Sequence, residues 1–158
     1  MIIKGSSRII NFLILMLFSV GAFSGQIFGP YNSVEILSVK DGDTISAMVA
    51  VWPDTYVQVD VRIRGIDAPE IRNGKRNGKT IPQCEISRGN GATSYASDII
   101  SQAESIILFN VDPSATKYAG RISGDFLIGG DKFSDLMIQA GHAIKYEGGT
   151  RDIWPCQE

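Results

Sequence analysis

The order of the sequence patterns predicts an α+β fold, a five-stranded barrel capped by helices. Five short runs rich in branched apolar residues are separated by turns that contain glycine, which is typical of antiparallel strands. One segment with helical spacing follows the third run, and a second follows the fifth. Five strands with helices at these places fit a small Greek-key barrel.

The strands are predicted from alternation and from turn signals. Residues 57–66 alternate apolar and polar side chains most regularly, and Asp41-Gly42-Asp43 joins the first two runs as a hairpin. The predicted strands are residues 34–39, 44–51, 57–66, 106–111 and 118–128.

Two segments have helical spacing, residues 84–105 and 133–140. Gly89 and Gly91 weaken the beginning of the first, so we expect regular helix only from Ala92. Residues 71–82 carry Asn-Gly pairs and are predicted to be a solvated loop. Three basic side chains of this loop are expected in solvent: Arg72, Lys75 and Arg76.

The composition describes one folded domain and excludes several classes of protein. The chain has 158 residues, of which 44% are hydrophobic and 20% charged. A single histidine, His142, and two widely separated cysteines exclude a zinc finger, so a structural role is expected for His142. The net charge of −2 argues against a polybasic nucleic-acid binder.

The first 24 residues have the pattern of a secretory signal peptide. Lys4 and Arg8 precede an apolar stretch at residues 9–20, and Ala22 and Ser24 are small residues suited to a cleavage site. An uncleaved membrane anchor is the alternative, although the stretch is short for crossing a bilayer. We therefore expect a signal peptide at 1–24, a single domain at 25–158, and export to the periplasm or the medium.

Export changes the interpretation of Cys84 and Cys156. In an oxidising compartment two cysteines can form a disulfide, and two unpaired thiols are the alternative.

Acidic residues at strand ends suggest a metal site. Asp43 lies in the hairpin turn, and Asp67 follows the third strand. Two carboxylates that converge there would repel unless a cation lies between them, and calcium accepts an irregular set of oxygen ligands.

Arginines and a further acid complete a pattern suited to phosphate chemistry. Arg62 and Arg121 come from different segments, and a guanidinium can bind a phosphate through two hydrogen bonds. Glu70 follows Pro69, and its carboxylate could orient a water molecule towards phosphorus.

Three segments in this order resemble the staphylococcal (thermo)nuclease family: residues 41–44, Asp-Gly-Asp-Thr; residues 62–70, Arg-(five on)-Asp-x-Pro-Glu; and residues 117–121, Lys-Tyr-x-Gly-Arg. The similarity extends over about residues 34–149 and indicates an exported member of bacterial type. It implies an oligonucleotide-binding (OB) barrel capped by about three helices. It also implies calcium-dependent hydrolysis of DNA and RNA that leaves a 3′-phosphate.

The resemblance also implies a role for each matching residue. Asp41 would act on the metal through water, and Glu70 would be the general base. The remaining roles are calcium ligation by Asp43, Asp67 and the Ala68 carbonyl, phosphate binding by Arg62 and Arg121, and binding of a terminal phosphate by Lys117 and Tyr118. Threonine stands at the position of Ala68 in the type member, and Ala119 is an additional residue.

The sequence predicts a monomeric nuclease that acts on nucleic acid and has no stable membrane association after cleavage. Two other functions stay open: an OB-fold module that binds nucleic acid without cutting it, and an interaction domain stabilised by calcium. Trp52 and Trp154 are expected to pack or to anchor surface segments.

Overall fold

The computed structural model describes residues 26–114, 116 and 118–156. The predicted signal peptide, residues 1–24, lies outside this range. Within it the chain is α+β, as the sequence predicts. The strands are β1 (Val34–Asp41), β2 (Thr44–Trp52), β3 (Thr55–Ile63), β4 (Ile66–Asp67), β5 (Lys75–Arg76), β6 (Lys79–Thr80), β7 (Ile106–Asp112), β8 (Arg121–Ile128), β9 (Asp131–Lys132) and β10 (Ile144–Lys145). The helices are α1 (Gln83–Ser101) and α2 (Phe133–Gln139).

A curled, mixed sheet of six strands forms the body of the fold. Its order is β1-β2-β3-β8-β7, with β9 paired to β8. All neighbours are antiparallel except β3 and β8, which are parallel. The outer strands β1 and β7 contact each other, so the sheet curls towards a half-barrel. The segment before β1 extends the sheet beside β7, because Phe28 and Tyr31 form isolated antiparallel β-bridges with that strand.

The interior of the curled sheet holds the hydrophobic core. Side chains from β2 and β3 meet those of β8 and of both helices, and α1 lies against β1. The largest fully buried apolar side chains are Phe126, Phe133, Ile45, Ile63, Ile66, Leu108 and Met137. Neither helix in the described part of the chain is long and apolar enough to cross a membrane.

The predicted loop at 71–82 contains a small hairpin, β5 paired with β6. Asn77 and Gly78 join the two strands, and both have positive φ, 51° and 78°. Two successive positive φ angles are what a two-residue hairpin of the Asn-Gly type requires. The Asn-Gly pair that indicated a loop is therefore the turn of this hairpin.

Helix α1 begins at Gln83, so the prediction of regular helix only from Ala92 was wrong. Close packing explains why a glycine occurs at position 89 inside this helix. A Cβ on Gly89 would lie 2.7 Å from the Pro69 carbonyl oxygen and still closer to that of Glu70. The glycine lets the helix approach this backbone, and tertiary packing outweighs its low helix propensity.

A disulfide joins Cys84, in the first turn of α1, to Cys156 near the C-terminus. The Cα atoms are 5.8 Å apart, and the cysteines are 72 positions apart in sequence. The pairing expected from the sequence is thus confirmed, and it closes the end of the chain onto the helix.

Candidate active site

The hairpin turn between β1 and β2 is pressed against the segment that follows β4. A Cβ on Gly42 would lie 2.7 Å from that of Ala68 and 2.9 Å from that of Ala92, so only glycine fits there. The Asp41 carboxylate accepts a hydrogen bond from the Asp43 amide at 3.1 Å. Asp43 in turn accepts one from the Ala68 amide at 2.8 Å. Close packing and hydrogen bonds therefore fix the direction of the Asp43 side chain.

Arg62 lies between the two aspartates that the sequence singles out. Its guanidinium forms an ion pair with Asp43 and contacts Asp67 Oδ1 at 3.3 Å. The sheet register places it there, because Arg62 pairs with Thr44, the neighbour of Asp43. Burial lowers the pKa of Arg62, and the nearby charge of Asp67 partly offsets this effect. Asp43 and Asp67 thus converge on one positive group.

Arg121 reaches the same place from β8. Its guanidinium donates to Thr44 Oγ1 at 2.9 Å, and this hydroxyl donates to Asp43 Oδ1 at 3.2 Å. Repulsion from Arg121 contributes to the lowered pKa of Arg62, after the larger effect of burial. The buried Nε of Arg121 has no hydrogen-bond partner among the described residues. A buried donor without a partner is costly, and an anion is the kind of ligand that would satisfy it.

These groups line an open cleft of about 1110 Å³. Asp67 is almost fully buried beside it and contacts Arg62 and Arg151. The polar residues that line the cleft include Asp41, Asp43, Arg62, Arg64, Glu70, Tyr118, Arg121, Asp125, Lys132, Tyr146, Glu147 and Arg151. Both positive and negative side chains line it. A polyanion would therefore meet local guanidinium groups there and no uniformly basic surface.

Glu70 extends into the cleft from the segment after β4. Its Oε1 accepts a hydrogen bond from Arg76 at 2.8 Å and lies 3.6 Å from Arg151. No described residue bonds to Oε2. The side chain is 34% exposed, so solvent reaches it. One oxygen is thus oriented by guanidinium groups while the other is open to water.

A fully buried acid, Glu85 of α1, supports this arrangement. Glu85 accepts hydrogen bonds from the amides of Glu70, at 3.2 Å, and Trp154, at 3.0 Å. It also pairs with Arg76 at 3.2 Å. A buried carboxylate is tolerated when charged and polar partners satisfy it. We call Arg76, Glu85 and Arg151 the Glu70 clamp.

The prediction that Arg76 lies in a solvated loop was wrong. Arg76 is 8% exposed, because hairpin β5–β6 folds its side chain inward onto Glu70 and Glu85. The sequence analysis also missed Glu85 and Arg151. Glu85 adjoins Cys84, and Arg151 precedes Cys156 by five positions. This spacing places both near the two cysteines but does not predict a contact with Glu70.

The structure brings together most of the residues singled out from the sequence. Tyr118 lies at the edge, 59% exposed, with its ring 5.8 Å from the Arg121 guanidinium. Lys117 lies outside the described residues. The residues around the cleft are Asp41, Asp43, Arg62, Asp67, Ala68, Glu70 and Arg121.

The remaining aromatic and histidine predictions concern packing. His142 lies 4.8 Å from the ring of Tyr95, away from the cleft. Trp154 is buried under the Arg88 guanidinium at 5.1 Å, whereas Trp52 is 75% exposed.

The acidic side chains beside the cleft are candidate ligands for a metal ion. Within the described residues no group of three or more His, Cys, Asp or Glu side chains is arranged to hold one. Asp43 and Asp67 nevertheless face the same positive group, because they contact the two terminal nitrogens of Arg62. Two hard oxygen donors of this kind suit calcium when water and substrate oxygens complete the shell. Beside them burial raises the pKa of Asp41, although Thr44 and the nearby arginines oppose this.

No protein-family model matches this chain, and a comparison with curated proteins finds no match either.

Proposed function

We propose that the chain is a calcium-dependent nuclease that hydrolyses phosphodiester bonds of DNA, RNA or both and leaves 3′-phosphate ends. The supporting observation is the convergence of Asp43, Asp67, Arg62, Arg121 and Glu70, from separate segments, around one cleft. The buried Nε of Arg121, which has no partner among the described residues, is compatible with an anionic ligand at this place. We also propose that the curled sheet is an OB-type barrel, a fold that binds nucleic acid on its wall.

In the proposed reaction, Arg62 and Arg121 bind non-bridging oxygens of the scissile phosphate. Their charge stabilises the additional negative charge that develops when water attacks phosphorus. Glu70 accepts the proton of that water through its open oxygen. The bond from phosphorus to the 5′-oxygen then breaks, and this oxygen takes up a proton from solvent water as it leaves.

Calcium would be held by Asp43 and Asp67, with the Ala68 carbonyl as a further oxygen donor. When bound it would polarise the phosphoryl group as a Lewis acid. Arg62 occupies the space between the carboxylates, so its ion pairs must rearrange when substrate and metal bind. Arg62 would then be released to the phosphate.

Lys117 and Tyr118 would hold a terminal phosphate, and the position of Tyr118 beside Arg121 supports this part of the proposal. The chain carries a net charge of −2, so it lacks the bulk attraction that basic nucleases have for nucleic acid. Binding should depend on the arginines of the cleft and weaken as salt rises.

We further propose that the protein is exported and monomeric and has no stable membrane association after cleavage. The disulfide supports export, because such bonds persist in oxidising compartments. The pattern of residues 1–24 adds to this argument.

A second candidate is a nucleic-acid-binding module that does not cut. One observation favours it: guanidinium groups already neutralise both carboxylates, since Arg62 pairs with Asp43 and Asp67, and Arg151 also pairs with Asp67. In such a module the aspartates would hold the arginines in place for phosphate binding, and calcium would have no role.

A digestion assay separates the two candidates. Plasmid DNA and RNA are incubated with wild type in calcium, with wild type in chelator, and with Glu70→Gln in calcium. The nuclease proposal expects cleavage in the first reaction only. Glu104→Gln is the matched control, because this exposed acid lies beyond the end of α1, and it should cut like wild type. Binding without cleavage in calcium would support the binding module.

A further inference from the structure

The C-terminal segment, residues 150–156, has no helix or strand and lies beside the cleft. Strand β10 leads towards it by pairing with β4, which places Ile144 opposite Asp67. The Tyr146 amide then donates to the Gly65 carbonyl at 2.9 Å. The chain therefore returns to the acidic side of the site after α2.

Side chains from α1 and from hairpin β5–β6 tie this segment down. Most of these bonds reach its backbone, so they fix its path whatever its own side chains are. The ties are Asn77 to the Arg151 carbonyl at 2.7 Å, Arg76 to that of Asp152 at 2.6 Å, Arg88 to that of Pro155 at 2.7 Å, the Trp154 amide to Glu85 at 3.0 Å, and the disulfide at Cys156.

These hydrogen bonds and the disulfide fix the position of Arg151. One nitrogen of its guanidinium lies 2.7 Å from Asp67 Oδ1 and 3.6 Å from Glu70 Oε1. No described residue accepts a hydrogen bond from its other two nitrogens. The side chain is 36% exposed and lines the same cleft as Arg62 and Arg121. Arg151 is thus oriented by two acids and still has donors that face solvent or ligand.

We propose that Arg151 is a third phosphate-binding residue, supplied to the cleft by the disulfide-closed C-terminal segment. This proposal rests on the proposed function, because its ligand is a nucleic-acid strand. Arg62 and Arg121 occupy the sheet side of the cleft, and Arg151 occupies the side of Glu70. When the scissile phosphate of a nucleic-acid strand lies between these two sides, a phosphate of that strand comes within reach of Arg151. The planar guanidinium suits this role because it offers two parallel donors.

Binding of a fluorescent single-stranded oligonucleotide in chelator tests this without any cleavage. The dissociation constant is measured over a range of salt concentrations for wild type, Arg151→Gln and Arg72→Gln. Loss of one phosphate contact should raise the dissociation constant of Arg151→Gln about tenfold. It should also reduce the slope of log affinity against log salt by about 0.7. Arg72, an exposed arginine of the neighbouring loop, is the matched control, and its variant should bind like wild type.

The salt slope distinguishes a phosphate contact from a structural ion pair. If Arg151→Gln keeps the wild-type slope and affinity, the proposal is overturned, even if the variant cuts more slowly. Should that variant fail to fold, Arg151→Met replaces it, because it removes the same charge and predicts the same loss of slope; a folded Arg151→Met protein with the wild-type slope would also overturn the proposal. If wild type binds with the full salt slope but does not cut in calcium, the nuclease proposal is overturned. The proposed role of Arg151 is then retained.

Discussion

The two sides of the cleft are built differently. On the sheet side, Thr44, Arg62 and Arg121 lie on neighbouring strands, and strand register fixes their spacing. On the other side, Glu70 depends on the Glu70 clamp, whose members come from a hairpin, a helix and the C-terminal segment. The sheet side should therefore keep its geometry after local changes. The clamp side should respond to changes made far from Glu70, because long-range contacts hold it.

The largest expected effect comes from Arg62→Ala, which removes the centre of the sheet side. In the proposed reaction, loss of a charged donor at the scissile phosphate should reduce the cleavage rate by about 10² to 10³. The variant should also be destabilised by about 3 kcal/mol, because Asp43 and Asp67 lose their shared partner. Initial rates and urea unfolding measure the two losses.

Arg64→Ala is the control for this prediction. Arg64 is two residues after Arg62. Among the described residues, its side chain donates one hydrogen bond, to the exposed Asn110 carbonyl at 3.3 Å. Equal effects of Arg62→Ala and Arg64→Ala on cleavage rate and stability would contradict the prediction for Arg62.

The next effect concerns the clamp side. Cys84→Ser combined with Cys156→Ser opens a connection between residues 72 positions apart, which should cost about 4 kcal/mol of unfolding free energy. Cleavage should also slow, because the segment that carries Arg151 loses its covalent attachment to α1. Urea unfolding in the presence and absence of a reductant provides the check. Reduced wild type should match the double variant, and a double variant as stable as oxidised wild type would contradict the prediction.

A smaller and more selective effect is expected at Gly89. Gly89→Ala places a methyl group against the Pro69 and Glu70 carbonyls, so it should destabilise by about 1 to 3 kcal/mol and shift Glu70. The matched control is Gly91→Ala in the same helix, where a Cβ meets nothing within 4 Å. That change should stabilise by about 0.5 to 1 kcal/mol. Thermal unfolding of both variants tests the difference in sign, and two effects of the same sign would contradict it.

The smallest expected effect is a pH dependence on the sheet side. Asp125 accepts hydrogen bonds from the Ser134 hydroxyl and from the Phe126 amide at 2.8 Å. Burial raises the pKa of Asp125 above 3.8, although these hydrogen bonds oppose the effect. The folded state then holds the proton more tightly than the unfolded state. The unfolding free energy should therefore fall as the pH rises from 3.8 towards the folded-state pKa.

Asp125→Asn should remove this slope, which is at most about 1.4 kcal/mol per pH unit. Urea unfolding of both proteins between about pH 4 and 6 measures it. Identical slopes would show that Asp125 titrates alike in both states.

Most of the sheet could be predicted from the sequence, because alternation reports directly which face of a strand is buried. The ends of elements were less accurate. The strand expected at residues 57–66 is Thr55–Ile63, followed after Gly65, at φ 76°, by the short β4. A glycine that turns the chain has no periodic signature. Likewise Gly89 indicated a weak helix, whereas the contact that requires a glycine there comes from a distant segment.

The same division applies to the candidate site. Asp43, Arg62 and Asp67 could be singled out because each lies at or near a strand end, where turns bring side chains together. Arg76 and Arg151 could not. Both are ordinary basic residues in irregular sequence, and their importance arises from contacts with Glu70, 6 and 81 positions away along the chain.

The sequence by itself determined the α+β class, the main strands and the acidic and basic residues of the sheet side, because periodicity and turn chemistry act over a few neighbouring residues. Only the tertiary structure decided that Glu85 is fully buried, that Arg76 turns inward, and that the end of the chain brings Arg151 to Asp67. These facts depend on how segments separated by tens of residues pack. That packing is set by the summed contacts of the whole chain, and no local pattern encodes it.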